Sequence, residues 1–493
     1  MTFYRKFPSM DAAVAAALPR NRGLYYDGSW HTASGGTTRT MNPGTGQDLG
    51  EVAEADAADV DNAVQAAHRA FKSWRKLAPL ERGALLRKVA QVLRDNAEEL
   101  ALLDAANCGN PVSAMLRDVH DGATLIEFFA GFATEVKGEL MPTVDGKLNM
   151  TIQEPFGVCV RILAYNHPLM FAAGKLAAPL AAGNTVIIKP PPQAPLSVIR
   201  MMELLDGILP PGVLNMLTGG LECGQALVSH PLTPVVGLVG SVPAGRAVAI
   251  AAAARLKRTA LELGGKNALI VYPDADIPRA IEGALKGMNF TWCGQSCGST
   301  SRLFIHDDVY DDILEGVLSG ITHFRPGLPT EWATTMGAII SEAQLEKIKG
   351  YVSLGTSEAR LAYGGDIPDD PRLDGGFYIN PTVLTGVDMS MRIAREEVFG
   401  PILSVFRWSD EEAMLNDVNA VEYGLTGSVF TTNLRNAHRA SAAIESGYVW
   451  VNDAGPHIIG APFGGYKMSG VGREESFSEI MSFTQTKNVN ITL

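Results

Sequence analysis

Thr185-Val186-Ile187-Ile188-Lys189-Pro190-Pro191-Pro192 runs from four β-branched residues straight into a lysine and three prolines. Such a short apolar run, closed by turn formers, predicts a buried strand that ends at Lys189. The pattern recurs on both sides. Upstream, Val158-Cys159-Val160-Arg161-Ile162-Leu163 reads as a strand and residues 171–180 as a helix. Downstream come a helix over 196–206, a strand from Val235 to Val239 and a helix over 245–257. Short β-rich runs alternating with longer helices predict parallel βαβ units and a doubly wound sheet. A second α/β unit begins near residue 260, with a strand at 268–271, a helix at 277–290 and a strand at 302–305. It runs to about residue 452.

The flanks are of other kinds. Residues 1–22 read as a peripheral extension, with an exposed helix from Ala12 to Leu18. Asn42-Pro43-Gly44-Thr45-Gly46 marks a turn between two short strands. Residues 56–104 have helical periodicity broken by Pro79, and a further helix covers 111–137. Residues 140–153 and 476–493 alternate like strands but lack neighbours in sequence, so they read as orphan edges needing a partner.

At 493 residues the chain should hold two or three packed units. It is 46% hydrophobic and 19% charged, the composition of a globular protein, and its net charge of −12 argues against nucleic acid or anionic membrane as partner. No apolar stretch reaches membrane-spanning length. Five scattered cysteines make no disulfide framework, and no metal site is expected, because nothing near Cys293 and Cys297 completes a ligand set. A cytoplasmic, reduced setting is the expectation.

Two segments carry chemistry. Gly294-Gln295-Ser296-Cys297-Gly298 sets a thiol in a glycine-flanked loop, and Leu261-Glu262-Leu263-Gly264-Gly265-Lys266 sets a carboxylate before a glycine turn. A thiolate that adds to a carbonyl, and a carboxylate that later activates water, would suffice for covalent acyl chemistry. A lone cysteine is more often buried and inert, and a lone glutamate more often solvated.

Together, in this order, they resemble the aldehyde dehydrogenase superfamily. Tyr448-Val449-Trp450-Val451-Asn452 and Ala461-Pro462-Phe463-Gly464-Gly465-Tyr466-Lys467 extend the likeness over residues 40 to 490. The resemblance implies two Rossmann-like, doubly wound domains and a small β oligomerisation element. Residues 1–132 and 154–259 would bind cofactor, 260–457 would hold the catalytic domain, and 133–153 with 474–493 would join subunits into a homodimer or homotetramer. It implies Cys297 as nucleophile and Glu262 as base for hydrolysis. Asn166 would be an oxyanion donor, and Lys175 with Glu474 would form a proton path behind the base.

No Gly-x-Gly-x-x-Gly follows a predicted strand. Gly240-Ser241-Val242-Pro243-Ala244-Gly245 stands there instead, which alone could be an ordinary strand-to-helix turn. The resemblance makes Gly240, Ser241 and Gly245 a pyrophosphate loop, Lys189 a ribose or phosphate contact, and Glu397 with Phe399 the nicotinamide grip. Pro192 stands where the family often has a glutamate that repels a 2′-phosphate, so the expectation is NAD or NADP.

By the same likeness His167, Gly174, Thr291, Trp292, Cys293, Ser296 and His457 line the funnel to Cys297. Gly174 and Thr291 open space there and the histidines add polarity, implying a larger, polar or aromatic aldehyde as substrate. Transfer of the acyl group to coenzyme A is the alternative within enzymes, though Glu262 speaks against it. A non-catalytic protein of the same fold is the alternative outside them.

Overall fold

A computed structural model describes residues 3–492; Met1, Thr2 and Leu493, at the outer limits of the first and last expected segments, lie outside the described residues. Five parallel strands form the first sheet, in the spatial order Leu214–Met216, Thr185–Lys189, Val158–Ile162, Val235–Val239, Arg258–Glu262. Numbered along the chain this is 3-2-1-4-5, the doubly wound arrangement in which ligands bind beyond the carboxyl ends of the strands. The antiparallel hairpin Leu24–Tyr26 and Ser29–His31 extends one edge, and Gly470–Val471 closes the other against Leu261 and Glu262. These strands read as continuous apolar runs because helices cover both faces. Val158, Val160, Ile187 and Val236 pack into one layer and Cys159, Val186, Ile188 and Val235 into the other.

The second sheet has six parallel strands, ordered Thr382–Thr385, Ile402–Trp408, Arg302–His306, Ala268–Val271, Thr426–Phe430, Tyr448–Val451, with Arg360–Tyr363 antiparallel at one edge. A three-stranded antiparallel sheet joins two segments far apart in sequence. Thr484–Thr492 pairs along the full length of Lys147–Pro155, whose other side meets Leu140–Met141. The orphan edges are therefore each other's partners.

Several expectations need correction. The N-terminal helix Met10–Ala17 is not an exposed appendage. Ala13, Val14 and Ala17 are buried in the main core, since small side chains let it dock closely. Residues 56–104 form three helices, not two: Ala57–Trp74, Pro79–Asp95, where the proline opens the helix, and Ala97–Cys108. The tail begins with a helix, Phe477–Ser482, before turning to strand. Glu474, grouped with that tail in sequence, is buried in the interior against Lys175 of the helix Pro168–Ala181.

Candidate active site

The carboxyl ends of the first sheet supply one side of the site. Glu262 ends its strand, Lys189 ends another, Asn166 follows Val158–Ile162, and Ser241 follows Val235–Val239. The second sheet approaches by its amino ends. Asn267 precedes Ala268–Val271, the cysteine loop precedes Arg302–His306, and Glu397 and Phe399 precede Ile402–Trp408. The site is the crevice between these two rims.

Backbone geometry shapes the cysteine loop. The helix Ile277–Gly287 ends, a 3₁₀ turn covers Phe290–Trp292, and the chain reverses through Cys293 at φ +56° and Gly294 at φ +64°. A Cβ on Gly294 would sit 2.3 Å from the Gly400 carbonyl oxygen, so only glycine fits. Gln295, almost fully buried, donates to the Ala338 carbonyl at 3.3 Å and accepts from the Ile340 N–H at 3.1 Å. The Asn267 amide donates to the carbonyls of Cys297 (2.7 Å) and Ser299 (3.0 Å), while its oxygen accepts from the Thr426 N–H. Cys297 is thus held on a pinned loop and is half-buried, whereas the other four cysteines are buried.

Glu262 faces the Cys297 thiol closely enough that each shifts the other's titration. Burial, then the charge of Glu474, pushes Glu262 up to about 7. Burial, then the Glu262 charge, pushes the thiol well above its ordinary value. A carboxyl that titrates near neutrality beside a protonated thiol suits proton transfer. The turn after Glu262 is braced from the C-terminal segment: Leu263 N–H donates to Ser469 O, and Ser469 Oγ donates to Gly264 O at 2.7 Å.

Behind Glu262 lies a buried cluster. Lys175, on the buried helix Pro168–Ala181, donates to Glu474 Oε2, and Arg161 donates to Glu474 Oε1 at 2.7 Å. Burial opposes charge on Glu474, but Lys175 and Arg161 overcome it and hold the carboxylate below its usual range. Glu479 is buried beside them and is pushed up to about 7 by burial and then by Glu474. Lys175 and Glu474 are brought together as expected. Arg161, Glu479 and Asn267 were missed, and for Arg161 the one signal was a cation inside a wholly apolar strand.

Asn166 is buried, and its backbone carbonyl accepts from the Asn110 amide at 2.7 Å. Among the described residues no hydrogen bond engages the Asn166 side-chain amide, which leaves both its N–H groups free to donate. Glu397 accepts from the Gly265 N–H at 3.0 Å and lies near enough to Cys297 to raise its thiol further. Gly264 has no room for a side chain, because a Cβ would sit against the Glu397 carboxylate. Phe399 packs edge-on against Tyr165 at 5.9 Å, next to Asn166. Glu397, Phe399, Asn166 and Cys297 thus share one end of the crevice.

At the other end, Gly240 and Ser241 open the helix Val242–Ala253, where Ser241 Oγ accepts from the Ala244 N–H at 3.4 Å. A Cβ on Gly245 would sit 2.5 Å from the Leu263 side chain, so the helix comes close against the Glu262 turn only because that residue is glycine. Lys189 is buried, its Nζ 3.3 Å from the Pro190 carbonyl, and burial lowers its pKa; Pro192 is exposed at the turn beyond. A helix N-terminus capped by Ser241, a close-packed glycine and an ammonium at a strand end are features that a dinucleotide phosphate would fit.

Of the expected funnel residues, Thr291, Trp292, Ser296 and His167 are partly exposed and His457 is exposed. Two expectations fail. Cys293 is fully buried in the core of the second sheet with Met336 and Ile339, because the left-handed turn at its own backbone directs it inward. Gly174 opens no room: it is buried, and Leu125 Cδ1 lies 3.0 Å from where a Cβ would sit.

The comparisons with known proteins agree with this geometry. The aldehyde dehydrogenase family model matches residues 30–489. The chain belongs to the aldehyde dehydrogenase family. It is 48% identical over 489 residues to aldehyde dehydrogenase tropH of Talaromyces stipitatus, covering 97% of this chain and 95% of that one. It is 37% identical to a betaine aldehyde dehydrogenase of Mesorhizobium japonicum, covering 91% and 92% of the two chains. Among solved structures, a point mutant of the indole-3-acetaldehyde dehydrogenase AldA of P. syringae, in complex with NAD+ and IAA, superposes with a TM-score of 0.95 at 35% identity. The match covers 99% of this chain and 100% of that one. Among the described residues of this family member, no helix is long and apolar enough to cross a membrane, and no cluster of three His, Cys, Asp or Glu side chains is placed to hold a metal.

Proposed function

We propose that this chain oxidises an aldehyde to a carboxylic acid, with NAD or NADP, through a thiohemiacetal and then a thioester on Cys297. The observation that carries the reading is a half-buried thiol and a buried carboxyl, the latter pushed up to about 7, near enough for each to shift the other's titration, in a crevice between two parallel sheets. Glu262 takes the thiol proton, and the sulfur adds to the aldehyde carbon. The free amide of Asn166 and the N–H of Cys297 donate to the resulting oxyanion. Glu397 and Phe399 would hold the nicotinamide of a bound dinucleotide and Gly240, Ser241 and Gly245 its phosphates; the ring would supply the acceptor for the hydride that leaves the carbon as the oxyanion collapses to the thioester. Glu262, once it has passed the thiol proton on and is ionised again, takes a proton from water, which attacks the thioester and releases the acid and the Cys297 sulfur. Lys175 and Glu474 would carry that proton onward, with Arg161 holding Glu474 ionised. NAD+ in the complex of the P. syringae relative supports the cofactor class, and an exposed proline at 192 leaves nothing there to repel a 2′-phosphate.

Trp292 beside His167 supports an aldehyde that is larger, polar or aromatic. The helix Val242–Ala253 leaves its apolar residues other than Ala252 wholly or partly exposed, Ile250 among them, which supports self-association into a dimer or tetramer. Five free cysteines fit a reduced cytoplasm. The test is incubation with aliphatic, aromatic and amino aldehydes and NAD or NADP, with and without coenzyme A, following absorbance of the reduced cofactor. Reduction with release of free acid in the absence of coenzyme A is the expected result. No reduction with any aldehyde, or a strict need for coenzyme A, would contradict it.

A further inference from the structure

Around Trp292 the protein gathers hydrogen-bond donors, several of which have no acceptor among the described residues. The Arg117 guanidinium lies over the Trp292 ring, 5.8 Å from its centroid, and the His167 ring lies 5.7 Å away. Among the described residues Arg117 makes no hydrogen bond or ion pair, although Asp121 is near enough to feel its charge. The Trp292 indole N–H is buried and unpartnered. His167 Nδ1 is bound by Asp118 Oδ2 at 2.7 Å, which orients the ring and leaves Nε2 free. Burial works against charge on that ring, but the carboxylates of Asp118, Asp104 and Glu262 outweigh it and favour the imidazolium. His457 repeats the device from another segment: Glu475 holds its Nδ1 at 3.1 Å, Phe463 stacks on its face at 4.1 Å, and its Nε2 has no partner among the described residues. His167 and His457 both lie within electrostatic reach of Glu262.

Resting on the aldehyde-oxidation reading, we infer that the funnel recognises an aldehyde bearing an anionic oxygen, a carboxylate or phenolate, held by Arg117, the Trp292 N–H and His167 Nε2, with His457 on a second side. Asp118 and Glu475 are already engaged with the histidines and Asp121, near Arg117, is exposed, so the groups left uncommitted around the Trp292 ring are chiefly donors. Charge-assisted donors of this kind match a carboxylate, and a planar guanidinium can bind it through two N–H groups. A quaternary ammonium would need the face of Trp292 that Arg117 already covers.

The experiment compares kcat/KM for 4-carboxybenzaldehyde, benzaldehyde and betaine aldehyde in the wild type, Arg117→Gln and His167→Phe. The wild type should prefer 4-carboxybenzaldehyde over benzaldehyde by about tenfold or more, the range of a charged hydrogen bond. Each substitution should cut that ratio severalfold. A wild-type ratio of one or less, a preference for betaine aldehyde, or a ratio unmoved by both substitutions would overturn the clamp. Calorimetry with terephthalate repeats the comparison without turnover. Binding at least severalfold weaker in Arg117→Gln, which alters an exposed residue, is expected, and equal binding overturns the clamp. If no aldehyde of any kind is oxidised, the dehydrogenase reading fails, and the terephthalate result still decides the clamp.

Discussion

Behind Glu262, Glu474 gives one oxygen to Lys175 and the other to Arg161, and all three side chains are almost wholly buried. On the Trp292 side of the crevice Arg117 is exposed and, among the described residues, neither it nor Nε2 of His167 and His457 has a hydrogen-bond partner. In the first group both oxygens of the central carboxylate are partnered within the chain, whereas in the second several donors are not. Buried charges must be compensated internally, because removing one partner strands the other in low dielectric. Half-exposed donors can wait for a ligand, since water satisfies them meanwhile. The interior group should therefore govern folding and proton movement, and the mouth should govern which aldehyde is accepted.

Cys297 lies between the two groups, so its loss should silence both. Cys297→Ser is expected to lower turnover by about a thousandfold or more, while calorimetry still detects binding of the nicotinamide dinucleotide. Full activity in that variant would remove the thiol from the account.

Arg161→Met separates the groups. It leaves Glu474 with one cation and should cost about 3 kcal/mol of stability in urea unfolding, with the ratio of carboxylated to plain benzaldehyde unchanged. Because folding lowers the Glu474 pKa, the contribution of this carboxylate is complete at neutral pH. It is lost only as the pH falls through the acid range below an ordinary carboxylate. An Arg161→Met protein as stable as the wild type would break the contrast between interior and mouth.

Proton movement can be read from pH. Glu262 must be ionised to take a proton from water, and its pKa is pushed up to about 7. Acid release should therefore fall about tenfold per unit below that pH and level off above it. Pre-steady-state kinetics across about pH 5 to 9 measures this, and a flat profile would place the base elsewhere. The smallest effect is expected at Pro192, outside both groups. Pro192→Glu should shift the ratio of NAD to NADP use severalfold towards NAD. An unmoved ratio would mean that residue does not meet the ribose.

The strand ends were legible because apolar runs such as Val235 to Val239 stop at glycines, prolines or a lysine, and the crevice is built from those ends. Cys297 and Glu262 were legible because glycine turns flank both. The interior group was half legible. Lys175 and Glu474 stand in motifs, but a single cation in an apolar run does not tell that Arg161 points at a carboxylate 313 positions away. Cys293 and Gly174 misled for a related reason. A left-handed backbone turn sends the cysteine into the core, and Leu125, on a different helix, fills the place beside the glycine. Pairings between distant segments, and the direction a side chain takes from its local φ, are three-dimensional properties that periodicity does not encode. The N-terminal helix failed likewise, because Ala13 and Ala17 look indifferent until a second helix lies against them.

The central claim is that Cys297 and Glu262 act on one acyl group in succession. Stopped-flow mixing of Glu262→Gln with aldehyde and NAD or NADP, followed by mass analysis of the quenched protein, tests it most directly. The account predicts a burst of about one reduced cofactor per site, negligible further turnover, and an acyl mass added to the Cys297 peptide. Steady-state turnover equal to the wild type, or a burst that leaves Cys297 unmodified, would contradict it.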